Sequence, residues 1–238
     1  MSYILTHSGR KFDFSNPQPH MVVLDDVAHA LAHLNRYTGH AEYGYSVAQH
    51  SVAVSRYLEL TGEPPIIQFG GLMHDAHEAY FGDISAPLKA FFKLGIKARD
   101  IQAMVSQEFG VVLQLLADVE DRIQAVVGEA FGLTMELMED PRVKLGDLTA
   151  LAVESEVIMP PDDEDWPCLA PVTAAMRAVM PRPYRLTPEQ AKGLFLNRYH
   201  HLRGQLGAEA EFVEASSANF NKVLAQTERL DPDAVIQG

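Results

Sequence analysis

The sequence predicts an all-α fold, and three observations carry that prediction. Apolar residues recur at helical spacing along most of the chain. Two capping boxes, Ser46-Val47-Ala48-Gln49 and Thr187-Pro188-Glu189-Gln190, stand before such stretches. No run alternates apolar and polar residues as a half-buried strand does. With 238 residues the chain can bury one sizeable core. We expect a main domain over 1–204, its core within about 20–200, and a C-terminal helical extension or tail over 205–238.

The first two dozen residues read as irregular or extended, because Pro17 and Pro19 prevent a regular helix. Asp25 or Asp26 is placed to cap a helix through Val27, Leu31 and Leu34 to about Tyr37. His29 and His33 lie four residues apart on it, a spacing that suits zinc, but with no third ligand nearby the pair reads as a surface feature. The first capping box starts a helix at Val47 that runs to about Leu60. On that helix His50 shares a face with Val47 and Val54 and therefore points inward.

Gly62, Pro64 and Pro65 break the chain before a central helix expected over 66–80. On that helix His74 and Glu78 are i, i+4 neighbours with Asp75 beside them. Gly70 and Gly71, one turn earlier, let another helix come close. Gly82 reads as the stop, turning the chain so that Asp83 points back over the same face. Pro87 permits a short helix with Leu88, Lys89, Phe91 and Phe92 that Gly95 ends. A helix over 96–109, then Gly110, then a further helical region to about Phe131 supply core. Pro141 behind Glu139 and Asp140 opens a helix with Val143, Asp147, Ala150, Leu151 and Glu154 along one face. Pro160, Pro161 and the run Asp162-Asp163-Glu164-Asp165 end it in an acidic loop without the spacing of a calcium site. A short helix over 173–180 follows, and the second capping box starts one through Leu194, Phe195 and Tyr199 toward Gly204. Beyond it, Phe212, Phe220 and Leu224 keep helical spacing, to pack on the domain or on another subunit of a homo-oligomer.

Composition excludes several function classes. A formal net charge of −13 opposes binding to a nucleic-acid polymer. No apolar run reaches membrane-spanning length and the N-terminus lacks the form of an export signal, so no membrane partner is expected. Cys168 is the single cysteine, which rules out thiolate zinc motifs and an internal disulfide and makes the cytoplasm the expected location.

The chemistry gathers on His50, His74, Asp75 and Asp147, which come from three helices. Two imidazoles and two carboxylates suit one divalent ion, with Mn²⁺, Co²⁺, Zn²⁺, Ni²⁺, Fe²⁺ or Mg²⁺ as candidates. Buried charge of this density needs a partner, and a cation is the economical one.

This order, His50, then His74-Asp75, then Asp147, resembles the HD-domain phosphohydrolases. Within that superfamily the chain is most similar to bacterial 5′-deoxynucleotidases and phage deoxynucleoside triphosphatases. Their HDxxEx₄D pattern is met by His74, Asp75, Glu78 and Asp83, and the segment from Gly82 to Lys89 resembles their GDLPTPxK, with Ser85 and Ala86 departing from it. The resemblance implies a helical bundle with one divalent ion between helices and a small nucleotide substrate. It implies that Glu78 orients or deprotonates the attacking water and that Asp83 assists. It also implies that Arg36, on the helix before the first ligand, contacts the nucleotide, while Lys89 and Lys144 meet phosphate. Removal of the 5′ phosphate is the expected reaction. The alternatives are triphosphohydrolysis and nucleotide binding without turnover. Alarmone hydrolases fit less well, since Ala79 stands where their second acidic residue falls, and the cyclic-dinucleotide phosphodiesterases carry a GYP element that is missing here.

Overall fold

Ser46 starts α2 (Val47–Leu60) through both halves of its capping box: Ser46 Oγ accepts from Gln49 N at 3.3 Å, and Ser46 N donates to Gln49 Oε1 at 3.2 Å. The remaining helices are arranged around α2 in a computed structural model that describes residues 2–89, 107–164 and 166–227. In chain order they are α1 (Leu24–His33), α3 (Pro65–Met73), α4 (Glu78–Phe81), α5 (Gln107–Phe131), α6 (Met135–Met138), α7 (Pro141–Ile158), α8 (Ala174–Val179) and α9 (Pro188–Thr227). The fold is all-α. Among the described residues its strands are an N-terminal hairpin in which β1 (Tyr3–Leu5) pairs antiparallel with β2 (Lys11–Asp13), within the segment expected to be irregular or extended.

Helix α2 has core on two sides. Phe69, Leu72 and Met73 of α3 join Val47 and Val52 with Phe195 and Leu202 of α9 in one cluster. Val54, Tyr57 and Leu58 join Val143, Ala150 and Val153 of α7 in the other. The hairpin belongs to the first cluster through Phe12, which is fully buried and stacks on Tyr80 at 4.0 Å between ring centroids. Between α2 and α9 lies Arg198, 2% exposed, whose guanidinium donates to Ser55, Gln68 and Glu59 and braces three helices.

Glycines set how closely α3 approaches its neighbours. A Cβ on Gly71 would stand 2.5 Å from Leu58 Cδ1 of α2, and one on Gly70 would stand 2.5 Å from the Leu137 carbonyl oxygen of α6. The first obstacle is a side-chain end, which can move. The second is backbone, so Gly70→Ala must displace α6. We expect Gly70→Ala to cost about 1–3 kcal/mol, lowering the thermal midpoint by several degrees. Gly193 of α9 has nothing within 4 Å of an added Cβ, so Gly193→Ala should leave the midpoint unchanged or raise it. Thermal unfolding of both variants beside the parent checks the contrast.

The central helix does not run over 66–80: α3 stops at Met73, residues 74–77 form tight turns, and α4 begins at Glu78. The cause is local. His74 Nδ1 bonds the Gly71 carbonyl at 2.8 Å, the acceptor that the next helical amide would use, and the chain tightens to i→i+3 bonds from Ala76 to Met73 and Glu78 to Asp75. Helix α1 ends at His33 and not near Tyr37, because the following residues pair with the entry to α2: Asn35 bridges Ser46, and Arg36 N donates to Tyr45 O at 2.9 Å. Neither Asp25 nor Asp26 caps α1, whose N-cap is Val23. Asp26 instead accepts from Ser8 N and Ser8 Oγ, both at 2.7 Å, and fastens the hairpin. Gly110 does not interrupt α5, and α9 continues past Gly204 to Thr227. Residues 86–89 are helical as Pro87 led us to expect, while Phe91, Phe92, Gly95 and the expected helix up to 106 lie outside the described residues.

Candidate metal centre

Three helices deliver the centre. His50 comes from the second turn of α2 and is fully buried, His74 closes α3, and Asp147 comes from the second turn of α7. One ligand atom from each of His50, His74 and Asp147 lies within 4.8 Å of the other two, which is the spread of atoms around a common ion. Asp75 falls outside that mutually close set but adjoins it: its Oδ2 is 3.1 Å from His74 Nε2 and 3.6 Å from His50 Nε2. Both Nε2 atoms are buried and lack hydrogen-bond partners, although His50 Nε2 is 3.3 Å from Asp147 Oδ1. The atoms are close but misaligned for hydrogen bonds, as donors aimed at a shared point are. Two orphaned imidazole nitrogens facing a carboxylate fit a divalent cation, so His50, His74 and Asp147 form a group that can hold one.

The other nitrogen of each histidine is occupied. His74 Nδ1 is held by the Gly71 carbonyl, and His50 Nδ1 lies 2.7 Å from Glu154 Oε1. Glu154, 1% exposed on α7, also accepts from Arg36 Nε at 3.0 Å and from the Tyr37 hydroxyl at 3.1 Å. Sequence reasoning had placed Glu154 on the Asp147 face without giving it work. Its signal was there, since it follows Asp147 by two helical turns and sits between Val153 and the buried end of α7.

Arg36 lies beside the centre, past the end of α1. It opens a short 3₁₀ segment, Arg36–Gly39, and its Nη1 is 3.8 Å from Asp75 Oδ2. Glu78 is 7% exposed, and its Oε2 has no hydrogen-bond partner. Gly82, at φ 90°, turns the chain into Asp83, whose carboxyl feels Arg36, Asp75 and His50 electrostatically. Lys144 bonds Asp147 Oδ2 at 2.7 Å with most of its side chain in solvent. Lys89 pairs with Glu120 of α5, which also faces the buried His77 at 3.4 Å; sequence reasoning singled out neither Glu120 nor His77. His29 and His33 stand apart from the centre, with His29 stacked on His7 at 3.6 Å between ring centroids.

The charges are strongly coupled. Burial alone would raise Asp75 and Asp147; the facing histidines outweigh it and hold both below the usual carboxylate range. Glu154 is likewise raised by burial but brought down to about 2 by Arg36, His50 and Tyr37. Burial and Arg36 depress His50, while Glu154 and Asp147 prevail and raise it to about 9. Glu78 is the outlier, pushed up to about 10 by burial and by Asp75 and Asp83. Asp83 is also raised, chiefly by burial. Three carboxyls, Asp75, Asp147 and Glu154, are thus held low beside two, Glu78 and Asp83, that are raised.

No helix among the described residues is long and apolar enough to cross a membrane. No protein-family model matches the chain. The chain is 35% identical over 204 residues to the uncharacterized protein YfdR of Escherichia coli K12, a match that takes in 85% of this chain and 96% of that one. It is also 35% identical over 123 residues to the uncharacterized protein RCAP_rcc00048 of Rhodobacter capsulatus, where the match takes in 49% of this chain and 62% of the relative. With nearly the whole of YfdR matched at that identity, the chain belongs to the same family as YfdR.

Proposed function

We propose that the chain is a metal-dependent phosphohydrolase that removes the 5′ phosphate of a small nucleotide, a deoxyribonucleotide by preference. The observation that carries this reading is the pair of buried, unpartnered Nε2 atoms of His50 and His74 converging with Asp147 beside Arg36, which is only partly exposed. His50, His74 and Asp147 would hold the ion, with Asp75 as the adjoining fourth ligand. A bound divalent ion supplies two things here: a water of lowered pKa and polarisation of a phosphoryl oxygen.

The remaining steps fall to side chains. Arg36 and Lys144 meet the charge of the phosphate, and Lys89 extends that basic edge. Glu78 takes a proton from the attacking water as oxygen bonds to phosphorus. In the metal-free chain burial, then the charges of Asp75 and Asp83, raise the Glu78 carboxyl to about 10; an ion at the centre would offset the Asp75 share of that rise and lower Glu78 toward the range of a base. Asp83, its carboxyl raised by burial, donates to the 5′ oxygen as that bond breaks, giving nucleoside and inorganic phosphate. This chemistry needs no covalent intermediate. The setting it implies is a cytoplasmic nucleotide pool.

A panel of ribo- and deoxyribonucleoside mono- and triphosphates, each with Mn²⁺, Co²⁺, Zn²⁺ and Mg²⁺, tests the reading. Chromatography should show nucleoside and phosphate from the deoxyribonucleoside monophosphates. Turnover confined to an alarmone or a cyclic dinucleotide would retain metal-dependent hydrolysis but remove the substrate assignment. Nucleotide binding without turnover would leave a sensor.

A further inference from the structure

We propose that Glu154 is a positioning residue that sets a metal ligand and the anion-binding arginine with one carboxylate; the proposal rests on the metal reading of the centre given above. Both oxygens are committed. Oε1 accepts from His50 Nδ1 at 2.7 Å, which leaves Nε2 as the nitrogen aimed at the centre. Oε2 accepts from Arg36 Nε at 3.0 Å and from Tyr37 Oη at 3.1 Å.

The second set of bonds has a purpose visible in the charge arrangement. Arg36 lies among Asp75, Asp147 and Glu154, and its Nη1 is already 3.8 Å from Asp75 Oδ2. Freed from Glu154, this guanidinium would be drawn onto the carboxylates that a cation needs. Glu154 holds it by the Nε edge, beside the centre and not in it. The backbone records the same constraint. Tyr37 (φ 56°, ψ 27°) and Thr38 (φ 52°, ψ 27°) are successive non-glycine residues in the left-handed region. Such strain persists where the surroundings over-determine it, and the Tyr37 hydroxyl on Glu154 is one such tie. A carboxylate that only braced the core would not need to divide its oxygens between a ligand histidine and an arginine that both face the centre.

Glu154→Gln separates positioning from bulk. Glutamine keeps the shape and an oxygen for His50 Nδ1, but it turns an NH₂ toward Arg36 Nε, so two donors face each other and Arg36 is released toward Asp75 and Asp147. Titration of the full chain with Mn²⁺ alone, followed by calorimetry, should show binding about 10- to 100-fold weaker than in the parent. Adding Arg36→Ala to Glu154→Gln should then recover most of that loss, because the competing cation is gone. A purely structural role predicts no recovery, since removing a second buried side chain only adds damage. If Glu154→Gln does not fold by circular dichroism, Glu154→Asp keeps the charge but is too short to reach both partners, and it should weaken Mn²⁺ binding at least about tenfold. A folded Glu154→Gln or Glu154→Asp chain that binds Mn²⁺ within twofold of the parent overturns the proposal, as does a double variant no tighter than Glu154→Gln. A parent chain that takes up no Mn²⁺ overturns the metal reading itself and this proposal with it.

Discussion

If the centre holds the proposed divalent ion in the parent, Asp147→Ala and His74→Ala are expected to purify without it and to lose the proposed phosphohydrolase turnover. Each removes one member of the mutually close three-atom set that spans three helices, leaving two of its atoms and the adjoining Asp75. Loss of affinity should exceed the roughly 100-fold seen for supporting residues, since these are proposed ligands. The ion should also staple α2, α3 and α7 together. With free ion at about 100 times its dissociation constant, binding contributes about 2.7 kcal/mol, so the parent should melt several degrees above either variant. A chelator should bring the parent down by a similar amount. Elemental analysis and thermal unfolding with and without chelator check both halves.

Glu78→Gln is expected to separate chemistry from metal binding. Glu78 is assigned to the attacking water, so the variant should keep its ion yet lose about 10²- to 10⁴-fold in kcat. Its stability should move the other way. The Glu78 carboxyl is raised from 4.5 to about 10 in the folded, metal-free chain by burial and by Asp75 and Asp83. Between those values the unfolded carboxyl has lost its proton while the folded one keeps it, so folding takes up a proton and stability falls as pH rises. Glutamine removes that penalty. Metal-free Glu78→Gln should therefore melt above the metal-free parent at pH 8, with the difference fading as pH falls toward the unfolded value of 4.5. Loss of the ion from this variant would make Glu78 a ligand, and unchanged kcat would remove it from the reaction.

Local chemistry made much of this protein legible in its sequence. Ser46 and Gln49 announce α2, and the inward phase of His50 follows from its spacing to Val47 and Val54. Thr187 and Gln190 likewise announce α9. Features set by tertiary partners were harder to read. The interruption after Met73 depends on His74 taking a backbone carbonyl, and the early end of α1 depends on a bridge to Ser46, eleven residues from Asn35. Helical phase alone places His74 and Glu78 on one face, whereas tight turns over residues 74–77 separate them in the folded chain. Glu154 illustrates the limit best. Its position on the Asp147 face was readable, but its partners His50 and Arg36 are 104 and 118 residues away and come together only in the folded chain.

One divalent ion is proposed to sit between α2, α3 and α7, held by His50, His74, Asp147 and Asp75. Anomalous diffraction at the manganese edge, from crystals of the full chain grown with Mn²⁺, tests it most directly. A single strong peak should appear, bonded by His50 Nε2, His74 Nε2, Asp147 and Asp75, with Glu78 close by but not ligating. A peak elsewhere, or none at this centre despite Mn²⁺ in the crystal, would contradict it.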